Sequence, residues 1–409
     1  MSAGSVPPSA LRCLGRELRT PAILYDFTAI RSAVELARRA FSRIEPFSLA
    51  FSVKANRCPS VLRLLSNIGV AAAISSTVEL DCAVRAGFRE VFATAPAFSG
   101  EDLRRLHEMQ IVPDLNSLSQ LESHARHGCG PAIGLRVCLP APERLLTQGF
   151  HGRGSRFGVN ARDSMLRALL AKYRLKVISL HAHLGDLANA EQLPWVVREL
   201  LKLADLFGDV DRINLGGGWY PLFRDKKLLM SVGRRISAAV KAWKAERGRS
   251  LHMICEPGAF LVHEAGYLSV TVLAADYHVR RCMTVLTVDS SAWNLLPWAE
   301  PRVFAVSPRR RLRGRCCVVG NTCHESDILV DDQELQIPRC GDRLLMAGVG
   351  SYSSSNARAL HGYPLPFEYA FDEGSANWSG DSHGGLLGRK DAPPPVHFGA
   401  SPESKGGRS

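Results

Sequence analysis

The chain has 409 residues, 46% hydrophobic and 22% charged, which supports one large and one smaller globular domain and excludes disorder throughout. Its net charge of +12 is scattered apart from one cluster, Arg309, Arg310, Arg311, Arg313 and Arg315, and no reader motif accompanies it, so we expect no nucleic-acid partner. Eleven cysteines lack paired metal-ligand spacing, no signal-peptide pattern opens the chain, and no run of about 18 apolar residues occurs, so a reduced, cytoplasmic protein with no metal and no membrane partner is expected.

Residues 1–20 read as an N-terminal segment, and the strand-like TPAILYD beside it can either join a later sheet or lead into the first large unit. From residue 47 to 258 a short apolar, β-branched run alternates with a longer amphipathic stretch, eight times in all. The runs are FSLAFSV before Lys54, GVAAAIS before Ser76, EVFATA before Pro96, IVPDL before Asn116, AIGLRV around Arg136, VISLHAHLG through His183, INLGGG through Gly218 and HMICEPG through Gly258. Helical stretches such as PSVLRLLSNI, SQLESHARHG and LPWVVRELLKLADLF lie between them, so residues 21–265 are predicted to form a parallel (β/α)8 TIM-type barrel. The gap holding LTQGFHGRGSRFGVN leaves room for an extra loop. YLSVTVLAADYHV, MTVLTVD, RRLRGRCCVVG and DRLLMAGVGSY then predict a C-terminal all-β domain over 266–373, with Cys316 and Cys317 as neighbours in a strand. Residues 374–409, rich in Gly, Ser, Pro and charge, read as a disordered tail.

In such a barrel the reactive groups gather at the C-terminal ends of the strands. Lys54 follows an apolar run directly, where partial desolvation would suit it to imine formation with an aldehyde cofactor; an ordinary strand-end lysine reaching solvent would look the same. Gly216, Gly217 and Gly218 close the seventh run, where barrels often bind phosphate, although a tight turn also explains three glycines. Glu256 closes the eighth run and aims a carboxylate into the mouth, where it needs a cation: a protonated pyridine nitrogen or a structural Arg or Lys. His181 and His183 share one face of the sixth strand; with no third ligand in view, stacking of one imidazole on an aromatic cofactor is the better functional reading, and a hydrogen-bonded barrel histidine explains the other.

Taken in order, FSVKAN, HAHLG, NLGGG, EPG, GNTCHESDIL and GSYSSSNARALHGY resemble the fold-type III pyridoxal-5′-phosphate (PLP) decarboxylases, the family of ornithine and diaminopimelate decarboxylases, over about residues 20 to 370. The resemblance implies that PLP is the cofactor, that Lys54 is its Schiff-base lysine, that His183 stacks on the pyridine ring, and that Glu256 pairs with the ring nitrogen. It also implies phosphate binding by Gly216, Gly217, Gly218 and Tyr352, a barrel glutamate at Glu79, and a catalytic Cys323 supplied by the partner subunit of a homodimer with shared active sites. Asp289, Asp327 and Arg156 match charged positions of the family and are candidate substrate contacts, as is Glu325.

Three positions depart from the family pattern. Ala259 stands where EPGR has arginine, Asp186 where the HxHxG motif is followed by serine, and His324 where an acid follows the cysteine. The implied activity is decarboxylation of an amino acid, basic or diamino because Asp289 and Glu325 offer negative charge near its distal end. Two rivals share the fold: an amino-acid racemase, against which Glu256 argues, and a non-catalytic or regulatory relative, for which the three departures are the best evidence.

Overall fold

In the computed structural model, residues 18–147, 155–295, 300–306, 312–372 and 375–381 are described. The first strand, β1 (Ala22–Asp26), is buried along its whole length and pairs with two strands of the second sheet. TPAILYD therefore joins the β-domain, so the described residues pass first through that sheet, then build the barrel and return to the sheet. Asp26 ends the strand and accepts the Ala29 amide, capping the helix that carries the chain across.

All eight expected runs are strands: β2 (Phe47–Ser52), β3 (Ala71–Ile74), β4 (Val91–Ala95), β5 (Pro113–Leu115), β6 (Ala132–Arg136), β7 (Lys176–His181), β8 (Arg212–Asn214) and β9 (His252–Cys255). They close in that order into a parallel barrel. Around and between the strands run α1 (Phe27–Phe41), α2 (Pro59–Asn67), α3 (Thr77–Ala86), α4 (Gly100–Glu108), α5 (Leu118–Arg126), α6 (Ser164–Tyr173), α7 (Gln192–Phe207), α8 (Tyr220–Phe223), α9 (Lys226–Arg247) and α10 (Ala259–Val262). Ser76, Ser99, Ser117, Asp163 and Asp225 start five of them by accepting a first-turn amide, which is why small polar residues punctuate the sequence there.

Alternation along the strands divides the core. Leu49, Phe51, Ala72 and Ile74 face the helices, while Ala50, Ala71, Ala73, Phe92 and Ile254 form a separate buried cluster in the interior. Toward the C-terminal ends the inward positions become polar. Strand register sets Asp114 beside Gly134 and Gly134 beside Ser179, and one step higher it lines up Arg136, His181 and Asn214.

The second sheet is built on the long strand β10 (Gly266–His278), with β11 (Met283–Val288), β12 (Arg302–Val306), β13 (Arg313–Val319), β14 (Ile328–Gln336), β15 (Arg343–Ala347), β16 (Phe367–Asp372) and β17 (Ser375–Asp381). Its order is β14-β13-β11-β10-β1-β16-β17, and β15 bridges β10 to β12. Strand β17 runs antiparallel to β16, so regular structure extends past residue 374; its Gly- and Ser-containing sequence hid a strand that a neighbour's ladder stabilises. Residues 382–409 lie outside the described residues, as do Arg309, Arg310 and Arg311 and the loop 148–154. Arg313 and Arg315 lie on β13 and pair with Glu334 and Asp332 on β14. Among the described residues, no helix is long and apolar enough to cross a membrane and no metal-ligand cluster occurs.

Helices α1 and α9 cross where Gly233 meets Ala40, and a methyl group built on Gly233 would overlap the Ala40 carbonyl. Gly233→Ala should therefore cost about 1–3 kcal/mol despite its better helix propensity. A lowered thermal midpoint checks this; an unchanged or raised midpoint would show that the crossing is not close-packed.

Candidate active site

Lys54 stands in a single 3-10 turn (Val53–Ala55) directly after β2, with Val53 and Ala55 buried beneath it. The turn lifts the amine out of the wall, so Lys54 is exposed, whereas an apolar strand end had suggested partial desolvation. Its charge acts on Glu79 and on His183, which places all three around one mouth. Glu79 is buried, accepts the Ser75 amide at 2.7 Å, and has its carboxyl raised above the usual range, chiefly by burial.

Glu256 follows β9 and is 6% exposed. Asn214, on the neighbouring β8, donates to its Oε1 at 2.7 Å, and the backbone of Glu256 is held by Gly216 and by the Ser52 hydroxyl. Its charge acts on Arg136, which lies at the end of β6 and whose guanidinium is lowered by burial. Arg136 lies 4.5 Å over the Phe157 ring, and Arg156, exposed at the rim, lies 4.3 Å over the same ring.

The glycine run folds back onto His183. The Gly217 amide donates to His183 Nδ1 at 3.2 Å, so that nitrogen is an acceptor. Burial first, then Lys54 and Arg136, push the imidazole well below its ordinary value, so His183 is a neutral ring suited to cover an aromatic face. Gly216 and Gly218 have φ of 63° and 82°, and a side chain on Gly218 would overlap the Gly185 carbonyl. Here the glycines are required both by conformation and by close approach.

Tyr352 comes from the β-domain with φ of 59°, an uncommon conformation for a bulky residue, and its amide bonds to Ala55 O at 2.6 Å beside Lys54. A methyl group built on Gly258 would lie 3.6 Å from its hydroxyl. Burial, with smaller contributions from Glu79 and Asp186, pushes the phenol up to about 12, so it stays a hydrogen-bond donor. Asp186 is exposed, and Ala259 opens α10 without a charged side chain.

Two expected substrate contacts are occupied elsewhere. Asp289 Oδ1 accepts the Thr271 amide at 2.8 Å and Oδ2 the Thr20 hydroxyl at 2.5 Å, so its carboxylate ties the N-terminal segment to β10. Asp327, 2% exposed, accepts from Ser291, Ala292 and Thr322 and thereby shapes the loop that carries Cys323. Both acids are engaged in the same way: each carboxylate satisfies a backbone amide and a hydroxyl. Cys323, His324 and Glu325 are exposed on that loop. Among the described residues, no hydrogen bond or ion pair joins these three to the barrel.

Asp114, Arg136 and Asn214 were not singled out by the sequence. Their signal is a polar residue at an inward position near the end of an otherwise apolar strand, which is visible only once the register is known.

An amine at the mouth, a buried carboxylate within the barrel, a neutral imidazole between glycines and a protonated phenol fit PLP at its aldehyde, its ring and its phosphate. This is the arrangement of a barrel enzyme that works through an aromatic aldehyde cofactor. The model of the pyridoxal-dependent decarboxylase family, pyridoxal-binding domain, matches residues 27–263, more than half of the chain, and the chain belongs to that family. Diaminopimelate decarboxylase of Helicobacter pylori is 27% identical over 376 residues, covering 87% of this chain and 91% of the relative. The enzyme of the same name from Pseudomonas fluorescens is 28% identical over 376 residues, covering 84% and 85%. Among solved structures, H. pylori diaminopimelate decarboxylase complexed with L-lysine superposes with a TM-score of 0.79 at 23% identity, covering 90% of this chain and 95% of that one. The Paramecium bursaria Chlorella virus arginine decarboxylase bound to agmatine gives 0.74 at 15%, covering 89% and 98%.

Borohydride reduction of the PLP-loaded protein should fix the cofactor to the peptide containing Lys54, because reduction converts a hydrolysable C=N bond into a stable amine. Peptide mass spectrometry checks this, and label on another lysine would overturn the assignment.

Proposed function

We propose that this protein decarboxylates a diamino acid, in a homodimer whose active sites combine the barrel of one subunit with the Cys323 loop of the other. The observation that carries the reaction is Glu256, a buried carboxylate whose fixed partner on Oε1 is neutral Asn214 and which follows β9, the strand paired with the one that leads to Lys54. Such a group is suited to holding a proton on a ring nitrogen. Bound PLP supplies an electron sink for the pair left behind when the substrate's α-carboxylate departs as CO2. Lys54 would hold the cofactor and receive it back after turnover, His183 would cover its ring, and the Gly216–Gly218 loop with the Tyr352 hydroxyl would hold its phosphate. The Gly216 and Gly217 amides already donate to Asn214 Oδ1 and His183 Nδ1, so the Tyr352 hydroxyl is the neutral donor left to the phosphate within the close approach the glycines allow, and Ala259 adds no charged side chain there.

For the substrate, the Cys323 loop and the segments beside it offer charges of both signs. Glu325 is its exposed acid, and Arg358, exposed, lies 5.8 Å over the Trp293 ring, which in turn meets His324 edge-on. A distal group bearing both an ammonium and a carboxylate matches that pairing, as do the names of the relatives. Cys323 would return a proton to Cα from the partner, and His361 Nδ1 stands 3.4 Å from its amide to hold the loop. The absence of any disulfide among the ten described cysteines suits a cytoplasmic setting.

Co-expression of Lys54→Ala with Cys323→Ala tests the shared site, with CO2 release from a diamino acid as the assay. Random pairing gives about half heterodimers, each with one doubly damaged and one intact site, so activity should recover to roughly a quarter of wild type from nearly inactive parents. A mixture no better than its parents, with heterodimers confirmed by tagged pull-down, would overturn the proposal.

A further inference from the structure

Beneath Glu256 the barrel encloses ionisable side chains that the reaction as described does not use. Asp114, on β5, is 5% exposed; Ser179 donates to its Oδ1 at 2.8 Å, and Asn214 Nδ2 lies 3.4 Å from its Oδ2. Room for this carboxylate exists because the residue beside it in register is Gly134, where any side chain would overlap Asp114. The pocket is thus built for the acid.

His181, on β7, is 1% exposed and lies between the two carboxylates. Its Nδ1 is 3.3 Å from Asp114 Oδ2, and its Nε2 is 3.9 Å from Glu256 Oε2. Neither nitrogen makes a hydrogen bond, so charge, rather than a directed bond, is the interaction available to the ring. A neutral imidazole carries one N–H and one lone pair, and in either tautomer the lone pair would face an anion at close range. The charge balance points the same way. Arg136 is the buried guanidinium acting on both carboxylates, and one cation against two anions leaves the pocket negative in a low-dielectric interior. His183 faces the same space as a neutral ring, and Lys54 stands at the exposed mouth.

We propose that His181 is a positioning residue that carries a proton on both ring nitrogens, with Asp114 as its counter-ion, and so sets the charge that Glu256 presents to the cofactor ring. Asp114 holds the imidazole, the imidazole tempers Glu256, and Glu256 meets the ring nitrogen. The buried carboxylate therefore grips the ring proton less tightly than an isolated anion would, which keeps that proton exchangeable during turnover. The last step rests on the proposed function; the first two concern this chain alone.

Two measurements separate these parts. In the 15N-histidine-labelled, PLP-loaded protein, the resonances lost in His181→Gln should both have the shift of protonated ring nitrogens, and Asp114→Asn should convert one of them to the unprotonated kind. An unprotonated nitrogen on His181 in the wild type would overturn the proposal. In PLP-loaded His181→Gln, which removes the tempering charge at similar volume, the spectrum of the protonated ring should persist to higher pH than in the wild type. A transition at the same or lower pH would also overturn it. Loss of packing alone would weaken PLP binding without raising that transition, and failure of PLP to attach at Lys54 would sink the proposed function while leaving the histidine result standing.

Discussion

A closed parallel barrel has no wet interior in which to hide charge, so each carboxylate that enters it must be neutralised by what neighbouring strands supply at the same height. Glu256 is the point where this constraint bears hardest. Asn214 sits beside it on β8, His181 faces it from β7 and Arg136 acts on it from β6, in the order in which the strands close. The polar layer at the barrel's C-terminal end exists because the strands share one register, and the alanines below it at Ala50, Ala71 and Ala73 fill the narrow remainder.

The same closure explains the division of labour at the mouth. The barrel wall supplies rigid groups, Glu256 and His183, whose surroundings fix their hydrogen-bonding roles. The turn after β2 lifts Lys54 free of the wall, where an amine can reach an incoming aldehyde. The β-domain then reaches over the mouth with Tyr352, whose left-handed backbone is held by Ala55, the residue next to Lys54. That contact ties the two domains together beside Lys54. Strand β1, which precedes the barrel in the chain, lies between β10 and β16, which follow it, so the β-domain is joined to the barrel from both of its ends.

Much of this was legible in the sequence for a physical reason. Parallel strands buried on both faces need apolar runs, and barrel chemistry collects at their ends, so eight runs with Lys54, His183, the Gly216–Gly218 loop and Glu256 at their termini could be read directly. The family belongs to the same reading, since its motifs sit at those termini. The surroundings of Asp289 and Asp327 were not legible because an acid in a motif looks the same whether it meets a substrate or its own backbone amides; the positions of Thr271, Ser291 and Thr322 come only from the fold. Asp114 and Arg136 were not read as site residues because their importance lies in cross-strand register, which no local pattern encodes. β17 was missed because its ladder partner, rather than its composition, makes it a strand.

The central claim is that this pocket takes CO2 from an amino acid and replaces it with a proton at Cα. The most direct measurement is turnover in deuterium oxide of a diamino acid carrying 13C in its α-carboxylate. The account predicts labelled CO2 released together with an amine bearing a single deuterium at Cα for each CO2 formed. Deuterium appearing in the recovered amino acid with its labelled carboxylate retained, and no CO2, would contradict it and identify proton exchange as the reaction of this site.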